Sequence, residues 1–61
     1  MTRFDVSRKV AGMSVQDIIR RYNKQELYEM ARAYSTQPER LLDKSVKYIA
    51  GYVYDCVKNS V

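Results

Sequence analysis

At positions 14, 23 and 36 of this 61-residue chain a Ser, Asn or Thr is followed three positions later by an acid. In that arrangement the first side chain accepts from the backbone amide of the last residue and the acid reaches back to the first amide, which starts an α-helix and fixes where it starts. Ser14-Val15-Gln16-Asp17 predicts a first helix, with Met13 and Ile18 as an apolar staple across its start. The apolar residues Val15, Ile18, Ile19 and Tyr22 recur at i, i+3, i+4 and i+7, a single amphipathic stripe. Asn23-Lys24-Gln25-Glu26 repeats the device, so a second helix follows almost without a linker, with Leu27, Met30, Ala31 and Tyr34 on its apolar face. Thr36-Gln37-Pro38-Glu39 predicts a third, with Pro38 in the first turn, where a missing amide does no harm.

From Leu42 the residues Leu42, Val46, Ile49, Val53 and Cys56 are spaced 4, 3, 4, 3, the a/d spacing of a helix packed along its length against another. Leu41, Ser45, Tyr48 and Tyr52 lie on the adjoining face. This apolar surface is wider than two short helices need to cover, and a chain this small buries only about 60% of its unfolded surface. A homodimer through the long helix is therefore expected. The N-terminal Thr2–Val6 alternates in polarity, and Tyr52–Val57 is rich in β-branched and aromatic residues, so both are compatible with strands; the spacing running on through Gly51 favours helix for the tail, and residues 1–12 are an arm open to a short helix or a strand. The expected fold is all-α: a basic N-terminal arm over 1–12 set off by Gly12, then a helical domain over 13–61 with two short helices and one long one.

Charge is distributed unevenly. Residues 1–24 carry six cations, Arg3, Arg8, Lys9, Arg20, Arg21 and Lys24, against two carboxylates, whereas residues 25–61 carry five against five. A basic front of this kind suits approach to a polyanion, because clustered Lys and Arg displace the counterions condensed on phosphates. Arg20, Arg21 and Lys24, with Arg3, Arg8 and Lys9 on the arm, are the expected nucleic-acid contacts. Arg20 and Arg21 also complement the C-terminal dipole of the first helix, a stabilising role that needs no ligand.

The chain has no His and one cysteine, Cys56. The commonest general base and the usual zinc ligand are thus missing, and no constellation of acid, base or metal ligand can be assembled, so neither an enzyme nor a metal or other cofactor is expected. A lone cysteine closes no disulfide within the chain and sits on an apolar stripe as a small hydrophobe. No apolar run is long enough to span a bilayer, and the first residues contain no apolar leader, so a cytoplasmic, non-membrane protein is expected. Of the six tyrosines, Tyr22, Tyr34, Tyr48 and Tyr52 fall on apolar stripes, while Tyr28 and Tyr54 fall off them and are free to stack on bases or to anchor a protein. Leu41, Tyr48, Tyr52, Val53 and Cys56 form the expected protein-docking or dimer surface.

Three short stretches resemble known families. Gly12–Arg21 looks like the turn and second helix of ribbon-helix-helix repressors, although only Ser7–Ala11 stands where that family has a first helix of several turns. Asn23–Tyr34 with the following helix is similar to SAP-like helix-extension-helix nucleic-acid modules. Leu27, Ala31, Pro38, Leu42 and Ser45 resemble the helical hairpin of the small sporulation aspartyl-phosphate phosphatases, but Ile49 stands where that family places its Asp, so its activity does not carry over. The sequence thus leads to two expectations: a small nucleic-acid-binding or regulatory protein, or an inhibitor or adaptor of the kind phages and mobile elements encode, docking its Tyr-rich helix on a host protein.

Overall fold

A computed structural model describes residues 1–59; the last two residues of the expected helical domain lie outside them. Among the described residues the chain is all-helical, with α1 over Arg3–Lys9, α2 over Val15–Arg21, α3 over Lys24–Arg32, a 3₁₀ turn over Pro38–Leu41 and α4 over Val46–Asn59. Helix α4 lies at the centre, with α3 and α2 packed on it closely and α1 more lightly. The core consists of Val6 and Val10 from α1 and its C-cap, Ile18 from α2, Leu27, Met30 and Ala31 from α3, Leu41 from the 3₁₀ turn, and Ile49, Ala50 and Val53 from α4. No polar or charged residue is buried among the described residues.

Two of the expected capping boxes form. The Asp17 amide donates to Ser14 Oγ at 3.2 Å and the Ser14 amide to Asp17 Oδ2 at 3.3 Å. The Glu26 amide donates to Asn23 Oδ1 at 2.8 Å and the Asn23 amide to Glu26 Oε1 at 2.9 Å. Tyr22, between the two helices, is extended at φ −121° and ψ 143°, and this single non-helical residue before the Asn23 cap makes the sharp turn.

The N-terminal segment corrects the sequence reading. Residues 1–12 are not an arm, and 2–6 are not a strand. The segment opens with a capping box of its own, Thr2 with Asp5, in which the Asp5 amide donates to Thr2 Oγ1 and the Thr2 amide to Asp5 Oδ2, both at 3.1 Å. Helix α1 follows, and its Val6 and Val10 side chains enter the common core, so the expected boundary after residue 12 divides nothing. Gly12, at φ +74°, adopts the left-handed conformation that lets the chain turn from α1 into α2.

The third helix also departs from expectation. Thr36 and Glu39 make no capping box; Gln37 precedes the 3₁₀ turn without a side-chain bond, and residues 42–45 are not helical. The long helix starts instead after Ser45, whose Oγ accepts from the Tyr48 amide at 3.2 Å. This interruption breaks the 4-3-4-3 register. A continuous helix would have carried Leu42 inward with Ile49, whereas the break turns Leu41 into the core and leaves Leu42 59% exposed. With α1, four α-helices stand among the described residues where three were expected. Residues 52–57 are helical throughout, so the strand alternative there also falls.

Gly51 lies inside α4, and a Cβ built on it would have no neighbour within 4 Å. Gly costs about 1 kcal/mol relative to Ala in a helix interior. Gly51→Ala is therefore expected to raise the unfolding free energy by about 0.5–1 kcal/mol in denaturant titration; a loss of stability would show that the position is more crowded than described.

Candidate nucleic-acid interface

Two tyrosine hydroxyls determine where the basic residues stand. Tyr22, just before α3, donates from its hydroxyl to the Lys9 carbonyl at 3.1 Å. Tyr34, just after α3, donates to the Arg3 carbonyl at 3.2 Å. Helix α1 is thereby tied at both ends to the two ends of α3 and runs antiparallel to it. The first tie brings together the last turns of α1 and α2 and the first residue of α3. The backbone segments that carry Arg8 and Lys9, Arg20 and Arg21, and Lys24 join at this corner of the molecule.

Each cation has a distinct setting. The Arg21 guanidinium lies over the Tyr22 ring, 6.0 Å from its centroid, and Arg8 lies 5.6 Å from the centroid of Phe4, a ring that is 68% exposed. Lys9, Arg20 and Lys24 are exposed. Arg3 stands apart from the group: its Nε donates to the Ala33 carbonyl at 3.1 Å, and its guanidinium covers the Tyr34 ring at 5.4 Å. It caps the end of α3 and joins α1 to it, rather than extending on a flexible arm as expected from the sequence.

None of these six cations has a salt-bridge partner among the described residues; the ion pair there is Arg32 with Glu29, 3.5 Å apart and open to solvent on both sides. An exposed pair of this kind contributes little to stability. The two carboxylates of the basic front are both engaged in capping their own helices. Asp5 is the clearest case. Hydrogen bonds from the Thr2 backbone and then from its side chain, helped by the N-terminal charge and Arg8, hold its carboxyl below the usual carboxylate range.

The helix dipoles sort these cations further. Arg8, Lys9, Arg20 and Arg21 lie in the last turns of α1 and α2, where positive charge is favourable. Lys24 opens α3, the positive end of that helix, where a cation is unfavourable. Helix stability accounts for the first four and not for Lys24.

The expected protein-docking residues divide in two. Leu41 and Val53 are in the core, 5% and 0% exposed, because the break before α4 and the packing of α2 and α3 consume them; Val53 offers no surface, and Leu41 only the sliver that floors a groove between α3 and the 3₁₀ turn. Tyr48 is exposed, with the Lys44 ammonium 5.3 Å from its ring centroid, and Tyr52 and Cys56 are half-buried. Around Gly51 the exposed side of α4 dips into a shallow hollow lined by Tyr48, Tyr52 and Asp55. The sequence reading missed a second apolar surface, a groove of about 330 Å³ lined by Lys24, Gln25, Tyr28, Leu41, Leu42 and Ile49. No local spacing reveals it, because it joins the start of α3 to the 3₁₀ turn and α4.

Comparison with family models, with curated proteins and with solved structures finds no match to this chain.

Removing either tie should loosen α1. Tyr22→Phe and Tyr34→Phe are each expected to cost about 1 kcal/mol in denaturant titration and to speed amide exchange in α1 more than in α4; unchanged exchange in α1 would show that the hydroxyls do not hold it. The Asp5 cap carries a pH dependence. Because its native pKa is depressed, its contribution is fully present above the unfolded-chain value and is lost as pH falls through the native one. Acidification is expected to fray α1 first, with Asp5→Asn showing a weaker dependence when Val6 and Val10 amides are followed by NMR.

Proposed function

We propose that this protein binds the phosphate backbone of nucleic acid, as a small regulatory protein of the cytoplasm, through the corner where α1, α2 and α3 meet. Arg8, Lys9, Arg20, Arg21 and Lys24 supply the charge, and Arg3 holds α1 in place. The observation that carries the reading is Lys24, a cation with no acidic partner among the described residues, placed at the helix end that disfavours it and beside four others. Phosphate is the counterpart that would reward such a placement, since each neutralised phosphate releases condensed counterions.

Fluorescence anisotropy with mixed-sequence duplex DNA tests this. With five phosphate contacts, affinity should fall roughly 10²- to 10³-fold between about 50 and 200 mM salt, and Arg21→Ala should lower the slope by about one contact. Absence of binding at the lower salt, or binding indifferent to salt, would overturn the reading.

A second reading is favoured by α4. Gly51 stands inside a helix where Ala would fit, and the hollow beside it is flanked by Tyr48 and Tyr52. A close-packed partner helix would explain both, either a second copy in a homodimer or a host protein inhibited or bridged in the manner of phage-encoded adaptors. In that case Tyr48→Ala or Tyr52→Ala abolishes binding while Arg21→Ala leaves it, and light scattering reports whether the free protein has the mass of one chain or two.

A further inference from the structure

We infer that the nucleic acid this protein takes is single-stranded, with an unpaired base seated in the groove between α3 and the 3₁₀ turn while its phosphates lie on the basic corner. This rests on the proposed phosphate binding and goes beyond it by naming the form of the strand. Lys24 carries the connection, because it belongs to both surfaces: it stands two residues after Tyr22, the tie of the basic corner, and it lines the rim of the groove.

Apart from Lys24 and Gln25, the groove has Tyr28 and Leu42 as its exposed apolar walls, over a floor where Leu41 and Ile49 belong to the core. Lys24 and Tyr28 are four residues apart on α3, so their side chains lie one above the other on the same face of the helix. An ammonium one turn from an aromatic face matches the repeat of a nucleic-acid strand, phosphate beside base. Tyr28 is half-buried, and its hydroxyl makes no hydrogen bond among the described residues, in contrast to Tyr22 and Tyr34, whose hydroxyls tie α1 to α3. Leu42 faces it as the other wall and is 59% exposed, an apolar side chain that the fold leaves uncovered.

The volume of about 330 Å³ suits one planar base and not a duplex, whose bases are stacked and paired and present no free face. The charge lining the groove is positive, and a nucleotide carries both a flat apolar surface and an anion. Single-strand binders combine these elements, a cationic track and an aromatic platform.

The test compares a labelled mixed-sequence DNA strand of about 12 nucleotides with its own duplex, at about 50 mM salt, by anisotropy. The strand is expected to bind about tenfold or more tightly than the duplex, Tyr28→Ala to erase that preference while duplex binding persists, and Tyr28→Phe to retain it. Leu42→Ser, at an exposed position, is expected to reduce the preference without unfolding the chain, so the inference is testable even if Tyr28→Ala fails to fold. Equal binding of strand and duplex overturns the inference and leaves phosphate binding standing. A preference that survives both Tyr28→Ala and Leu42→Ser overturns it as well. Binding of neither form overturns phosphate binding itself.

Discussion

Helices of seven residues do not persist alone in water, since helix nucleation is costly and each has only a few internal hydrogen bonds to offset it. In this chain α1, α2 and α3 exist because each lays a small apolar patch against the ridge of Ile49, Ala50 and Val53 on α4. The ridge is narrow, and Ala31 and Ala50, both fully buried, are small enough to let neighbouring helices approach closely. Every other feature depends on this burial. The capping boxes decide where each short helix starts, and the core decides that it forms at all.

With so small a core, polar contacts between distant residues take on a larger share of the arrangement. The hydroxyls of Tyr22 and Tyr34 reach backbone carbonyls 13 and 31 residues away and lay α1 along α3. Their effect on charge follows from geometry: backbone segments of three elements that carry cations are joined at one corner, and Arg3 closes the far end. The result is a positive region whose own acids are occupied as helix caps.

The functional reading grows out of that imbalance. Four of the corner cations also serve the dipoles of α1 and α2, so their presence alone decides little. Lys24 has no such role, and it is the residue shared by the corner and the apolar groove. Tyr28 and Leu42 extend the same surface from charge to stacking. The face of α4 around Gly51 is a separate surface on a different side chain set, and it supports partnership with protein rather than with phosphate.

Much of the fold was legible locally. Ser14 and Asn23 announce α2 and α3 because a capping box is a contact among four consecutive residues, and Thr2 with Asp5 carries the same signal for α1, in a stretch whose alternation over residues 2–6 also suits a strand. Exposure was legible only in part: Tyr48 lies on the surface, whereas Leu41 and Val53 go to the core. The sequence by itself determined an all-helical chain, the starts of its short helices and the basic character of its first 24 residues, since these follow from neighbouring residues and from composition. Tertiary structure alone decided that α1 joins the core, that the break before Ser45 turns Leu41 inward and Leu42 outward, and that Lys24 lines an apolar groove. Those outcomes depend on contacts between residues far apart in the chain, whose energies no local pattern records.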